Sequence, residues 1–155
     1  MNELVYRNLS EDEKRQICAW KYGGEYDLYN LPSYEEMQVR QIGFMNPQRE
    51  KNYYGFWDES ILVGFVNILE EKEEIFIGIG VNPDLCNKHY GQRRLSITYE
   101  ISKKLYPNKP LYLEVRTWNI RAVKCYQKAG FRIDGQAYEL TTGIGTGTFY
   151  RMIRE

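Results

Sequence analysis

The chain is poor in the residues that many catalytic centres use. It has one histidine, His89, and three cysteines, Cys18, Cys86 and Cys125, in 155 residues. No His/Cys cluster has metal-ligand spacing, so no metal site is expected. The cysteines lie far apart and form no framework, which suits a reducing compartment and a cytoplasmic protein. No serine stands in a nucleophile elbow. No apolar run is long enough to span a bilayer, and the opening MNELVYRNLSEDEKR carries no apolar signal region. Charge is balanced, 21 basic residues against 21 acidic. That argues against a nucleic-acid partner, whose phosphates need a basic face.

Tyrosine, in contrast, is abundant, with 14 residues, many of them between Tyr6 and Tyr54. Clustered aromatics often line a pocket. The length fits one domain, 1–155, with a real core. Leu4 to Arg7 reads as a first strand, and Ser10 with Glu13 forms a capping box for a helix to about Lys21. Residues 22–32, YGGEYDLYNLP, read as a loop, and a second helix spans Tyr34 to Ile42. Tyr53–Trp57 and Ile61–Leu69 flank a turn as a hairpin, which the strand at 74–81 extends. A helix over 92–105 precedes a strand at 111–116, and strands near 131–139 and 147–153 follow. TTGIGTGTF contains G-x-G-x-G, but no helix follows it, so a hairpin turn is the better reading than a phosphate loop.

The most informative stretch is Leu111 to Phe131, LYLEVRTWNIRAVKCYQKAGF. Leu111, Leu113 and Val115 alternate with Tyr112, Glu114 and Arg116, the pattern of a half-buried strand. Asn119 is a good helix N-cap. Ala122, Val123, Tyr126 and Ala129 recur at helical spacing, and Gly130 suits the left-handed residue that ends a helix, with Phe131 folding back. A strand carrying a carboxylate thus delivers a helix carrying a phenol. Each residue also has a local structural reason to be where it is, and Glu114 on an open strand face needs no special role.

Glu114, Val115, Arg116, Asn119, Ala122, Tyr126, Lys128, Gly130 and Phe131 spell E-V-R-x-x-N-x-x-A-x-x-x-Y-x-K-x-G-F. This resembles the second conserved half of the GNAT family, the acetyl-coenzyme A dependent N-acetyltransferases. Within the family it looks most like enzymes that acetylate the N-terminal amine of ribosomal proteins. The first half of the pattern lies upstream. EIFIGIGV, residues 74–81, reads as a central strand, and Asn82, Pro83 and Asp84 stop it. A tight loop then leads into a helix whose unpaired N–H groups and dipole would hold a pyrophosphate. The family loop R/Q-x-x-G-x-G/A aligns with Cys86, Asn87, Lys88, His89, Tyr90 and Gly91. Only the last glycine is kept. His89 replaces a glycine whose missing side chain lets backbone approach phosphate, while Lys88, Arg93 and Arg94 add positive charge.

The resemblance implies an α/β (α+β) fold: about four helices and a mixed, mostly antiparallel sheet of about seven strands, splayed between strands 4 and 5. Acetyl-coenzyme A would be the cosubstrate and would enter that opening. Ile79, Gly80, Val81, Asn87, Lys88, His89, Tyr90, Gly91, Gln92, Asn119 and Ala122 would bind it. The acceptor would be a small-molecule amine or a peptide N-terminus, under the loops between residues 20 and 46. Glu114 would take the amine proton, and Tyr126 would hydrogen-bond or protonate the departing thiolate. A homodimer is left open. The second reading is a coenzyme A binding or sensing module without transferase activity, which the substitutions at Cys86 and His89 motivate.

Overall fold

Local sequence signals set the boundaries of most elements. The computed structural model describes residues 4–85 and 90–155, and these contain eight β-strands and four α-helices. The strand order is β1-β2-β3-β4-β5-β8-β6, with β7 also paired to β8. The chain gathers into two compact units, Met1–Asn67 with Ile79–Tyr90, and Ile68–Gly78 with Gly91–Glu155. No helix among the described residues is long and apolar enough to cross a membrane.

The first unit holds β1 (Val5–Asn8), α1 (Glu11–Ala19), α2 (Tyr34–Arg40), β2 (Tyr53–Asp58), most of β3 (Ile61–Glu70) and the end of β4 (Ile75–Val81). Ser10 caps α1 through the full capping box with Glu13. Gln41 adopts a left-handed conformation, φ 52°, which stops α2 before Ile42. The tyrosine-rich loop is a 3-10 helix over Gly24–Tyr29. Ile17, Cys18, Trp20, Met37, Phe44, Tyr53, Trp57 and Leu62 form its core, with Phe65 packed against them. A Cβ at Gly80 would run into the Phe65 ring, so the glycine there makes room for an aromatic.

The second unit holds the start of β4, α3 (Tyr90–Leu105) from Gly91 on, β5 (Leu111–Arg116), α4 (Ile120–Lys128), β6 (Arg132–Ile133), β7 (Tyr138–Thr142) and β8 (Gly145–Arg154). Leu111, Leu113 and Val115 are buried as the alternation predicts. β5 and β8 pair antiparallel from Leu111↔Arg154 to Arg116↔Phe149. β4 and β5 pair in parallel, and their register is Ile75↔Leu111 and Phe76↔Tyr112. Among the described residues this ladder is short, although β5 continues to Arg116. The strand expected near 131–139 is two pieces, β6 and β7. Gly135, at φ 78°, lies between them. Thr142 pairs with Gly145, so Gly143 and Ile144 form a two-residue hairpin loop, and the glycine-rich run is a turn.

Gly91 has a packing role as well. A Cβ there would stand 2.7 Å from Cys125 Sγ, inside normal contact distance, so α3 passes α4 closely. Gly91→Ala should lower the stability measured by urea unfolding by about 1–2 kcal/mol: overpacking of about 1–3 kcal/mol outweighs the helix-propensity gain of up to about 1 kcal/mol. Cys125→Ala in the same chain should recover most of that loss. A Gly91→Ala protein as stable as wild type would show that α3 and α4 do not approach this closely.

Candidate active site

β5, Asn119 and α4 form one uninterrupted segment of the second unit. Glu114 lies on the half-buried face of β5. Three residues past its end, Asn119 is 8% exposed, and its side-chain oxygen accepts from the Ala122 N–H at 3.3 Å. This cap starts α4 in the turn that carries Ala122 and leads to Tyr126. Tyr126 is half-buried, and its carbonyl accepts from the Phe131 N–H at 3.0 Å where the helix ends. Gly130 takes φ 94°, a left-handed conformation that favours glycine. The motif residues Glu114, Asn119, Ala122 and Tyr126 are therefore held by one strand, one cap and one helix.

Glu114 is not alone. The Tyr138 hydroxyl, from β7, donates to Glu114 Oε2 at 2.6 Å. Burial, and the hydrogen bond to Glu114, push the Tyr138 phenol above its ordinary range. Arg151 stands opposite Glu114 in the β5–β8 register, but its guanidinium binds both oxygens of Glu74 and also Asp134. It lies 4.4 Å over the Tyr112 ring, whose hydroxyl donates to Glu71 at 2.8 Å. This face of the second unit thus combines carboxylates and phenols around one arginine.

Gly91 and Gln92 open α3 within the same unit, and Gln92 Nε2 donates to the Lys128 carbonyl at 3.1 Å. Arg93 and Ser96 on α3, with Lys128, Gly130 and Arg154, line a cavity of about 420 Å³. Arg154 is held there by the Ala129 carbonyl, at 2.9 Å, and by the Tyr99 ring, 3.7 Å beneath its guanidinium. Three cationic side chains at one cavity suit a polyanion.

In the first unit, Ile79, Gly80 and Val81 close β4, and all are half-buried. The Tyr22 hydroxyl donates to the Val81 carbonyl at 2.5 Å, so one tyrosine of the Gly- and Tyr-rich segment is anchored at this strand end. Trp20 is 9% exposed and belongs to the core, whereas Tyr26 and Tyr29 stack on each other at 6.4 Å. Asn82 ends the strand by donating through its side chain to the Leu62 carbonyl at 3.0 Å. Tyr90 donates to Asp58 at 2.6 Å. Cys86, Asn87, Lys88 and His89 lie outside the described residues. Among the described residues no group of three His, Cys, Asp or Glu could hold a metal ion.

Tyr138 and Arg154 were not legible as candidate site residues. No local pattern marks them, since each reaches its partner across a distant pairing.

The family model for the acetyltransferase (GNAT) family matches residues 7–131. The chain belongs to that family. Its solved relatives by fold include a spermidine N-acetyltransferase SpeG chimera from Vibrio cholerae and hSSAT, at 19% identity, TM-score 0.78, covering 99% of this chain and 95% of that one. An acetyltransferase (GNAT family) from Bacillus anthracis matches at 17% identity and TM-score 0.79, over 98% and 94% of the two chains. AAC(6')-Ib, solved in complex with Parmomycin and AcetylCoA, matches at 17% identity and TM-score 0.75, over 99% and 93%. These likenesses show the GNAT fold, with its parallel β4–β5 pair. No curated protein matches.

Because the Asn119 oxygen caps a GNAT helix here, removing it has a structural cost separate from any ligand. Asn119→Ala should lower stability by about 1 kcal/mol, and Asn119→Asp, which keeps the accepting oxygen, should lose no more than a few tenths of a kcal/mol. Thermal unfolding of the two variants measures the difference.

Proposed function

We propose that this protein is an N-acetyltransferase that moves acetyl from acetyl-coenzyme A to a primary amine by direct attack, with both substrates bound together. The continuous β5–Asn119–α4 segment carries this reading, because it holds a carboxylate and a phenol in the pattern of the family. In this reading residues 1–155 act as one acetyltransferase domain.

The amine must lose a proton before it attacks. A lysine-like amine with pKa near 10.4 is neutral in roughly one molecule in 2,500 at pH 7, and an α-amine near 8 in roughly one in ten. Reaching the neutral form costs about 4.6 and about 1.4 kcal/mol respectively. Glu114 accepts this proton, directly or through water. Nitrogen then bonds to the thioester carbonyl carbon, the C–S bond breaks, and its electron pair goes to sulfur. Tyr126 gives or shares its proton with that sulfur, and the surplus proton on the new amide nitrogen replaces it. With free pKa values near 10 and 8.5, full transfer from phenol to thiolate is uphill by about 2 kcal/mol, so a shared proton serves as well.

On the donor side, the backbone N–H groups of Ile79, Gly80 and Val81 are assigned to the developing oxyanion. Asn119 and Ala122 are assigned to the cofactor arm. Asn87, Lys88, His89, Tyr90, Gly91 and Gln92 are assigned to the pyrophosphate. The Arg93–Lys128–Arg154 cavity supports a polyanionic donor such as coenzyme A. Among acceptors, the motif likeness favours peptide N-termini, while relatives of the same fold include a spermidine N-acetyltransferase.

The deciding experiment is thermal stabilisation by acetyl-coenzyme A, followed by thiol release across polyamines, aminoglycosides, amino acids and N-terminal peptides. Release with one amine class supports the transferase; stabilisation with no release on any acceptor turns the reading into a sensing module. Tyr126→Phe should lower kcat at least about tenfold and leave the Kd for acetyl-coenzyme A nearly unchanged. Steady-state kinetics with calorimetric binding checks both, and an unchanged kcat would remove Tyr126 from the mechanism.

A further inference from the structure

We propose that Tyr138 is a positioning residue that fixes the Glu114 carboxylate with one oxygen turned to the incoming amine, an inference that rests on the base role of Glu114 proposed above. Strand register alone would pair Glu114 with Arg151, which faces it across β5 and β8. The structure withholds that cation. Glu74 binds the Arg151 guanidinium through two nitrogens and Asp134 through a third. The other neighbours on this face are engaged as well: Tyr112 donates to Glu71, and Arg116 lies 4.7 Å over the Phe149 ring. What reaches Glu114 is the neutral Tyr138 hydroxyl, which takes Oε2. Among the described residues Glu114 Oε1 takes no hydrogen bond. Tyr138 is itself fixed, because β7 pairs with β8 from Tyr138↔Phe149 onward.

The choice of a phenol has a consequence for charge. A guanidinium on Glu114 would neutralise the carboxylate and repel an approaching ammonium. A phenol orients the carboxylate through one hydrogen bond and leaves the negative charge in place. Burial, and the carboxylate itself, keep that phenol protonated, so it stays a donor. The amine proton then moves to Oε1, and Tyr138 neither gains nor loses a proton in the cycle.

The test compares wild type, Tyr138→Phe, Glu114→Gln and the double variant with acetyl-coenzyme A and the amine returned by the acceptor screen. Tyr138→Phe should lose on the order of tenfold in kcat, because the carboxylate is no longer held with Oε1 presented to the amine, and should cost less than about twofold in the Glu114→Gln background. Its KM for acetyl-coenzyme A should stay unchanged. A thermal unfolding midpoint near that of wild type shows that the variant is folded. No loss in kcat, or an equal loss in the Glu114→Gln background, would overturn the positioning role. Full activity in Glu114→Gln would instead reject the base assignment, which distinguishes failure of the mechanism from failure of this inference.

Discussion

The candidate site depends on β5 being fixed in one register. Its odd-numbered residues, Leu111, Leu113 and Val115, are all buried, and its ladder with β8 runs unbroken over the whole strand. Side chains alternate along a strand, so a slip of one residue would send Glu114 into the core and expose Leu113 or Val115. Burial of three apolar side chains, each worth about 1.5–3 kcal/mol, opposes that slip. The hydrophobic pattern therefore decides that Glu114 stands on the half-buried face of β5 rather than in the core.

A short turn leads from the same strand to a cap. Asn119 supplies an acceptor to the Ala122 N–H, so α4 starts at a set place and Tyr126 falls at a set turn. A residue that caps a helix and matches the family motif has two reasons to be asparagine. Packing alone gives Gly91 and Gly80 a reason to be glycine, because each relieves a side-chain clash, with Cys125 and Phe65 respectively.

Much of the fold could be read from the sequence because its signals are local. The capping box at Ser10, the alternation in β5, the Asn119 cap and the hairpin glycines each act within a few residues, and the structure contains all four. Where the reading fell short, a longer-range contact had the deciding vote. The segment 131–139 has the composition of one strand, but Asp134 turns to Arg151 and Gly135 takes a positive φ, so it divides into β6 and β7. The tyrosine-rich segment lacks helical periodicity and still folds into a 3-10 turn, with Tyr22 bonded to Val81.

The sequence by itself determined the acetyltransferase pattern, the order of elements and which carboxylate and phenol are the candidates, because period, capping and motif spacing are properties of neighbouring residues. Only the tertiary structure decided the surroundings of Glu114: that Arg151, its cross-strand neighbour, belongs to Glu74 and Asp134, and that Tyr138 from another hairpin takes one of its oxygens. Those choices are contests among side chains brought together by strand pairing. Their outcome rests on distance and hydrogen-bond geometry, which no local pattern of residues encodes.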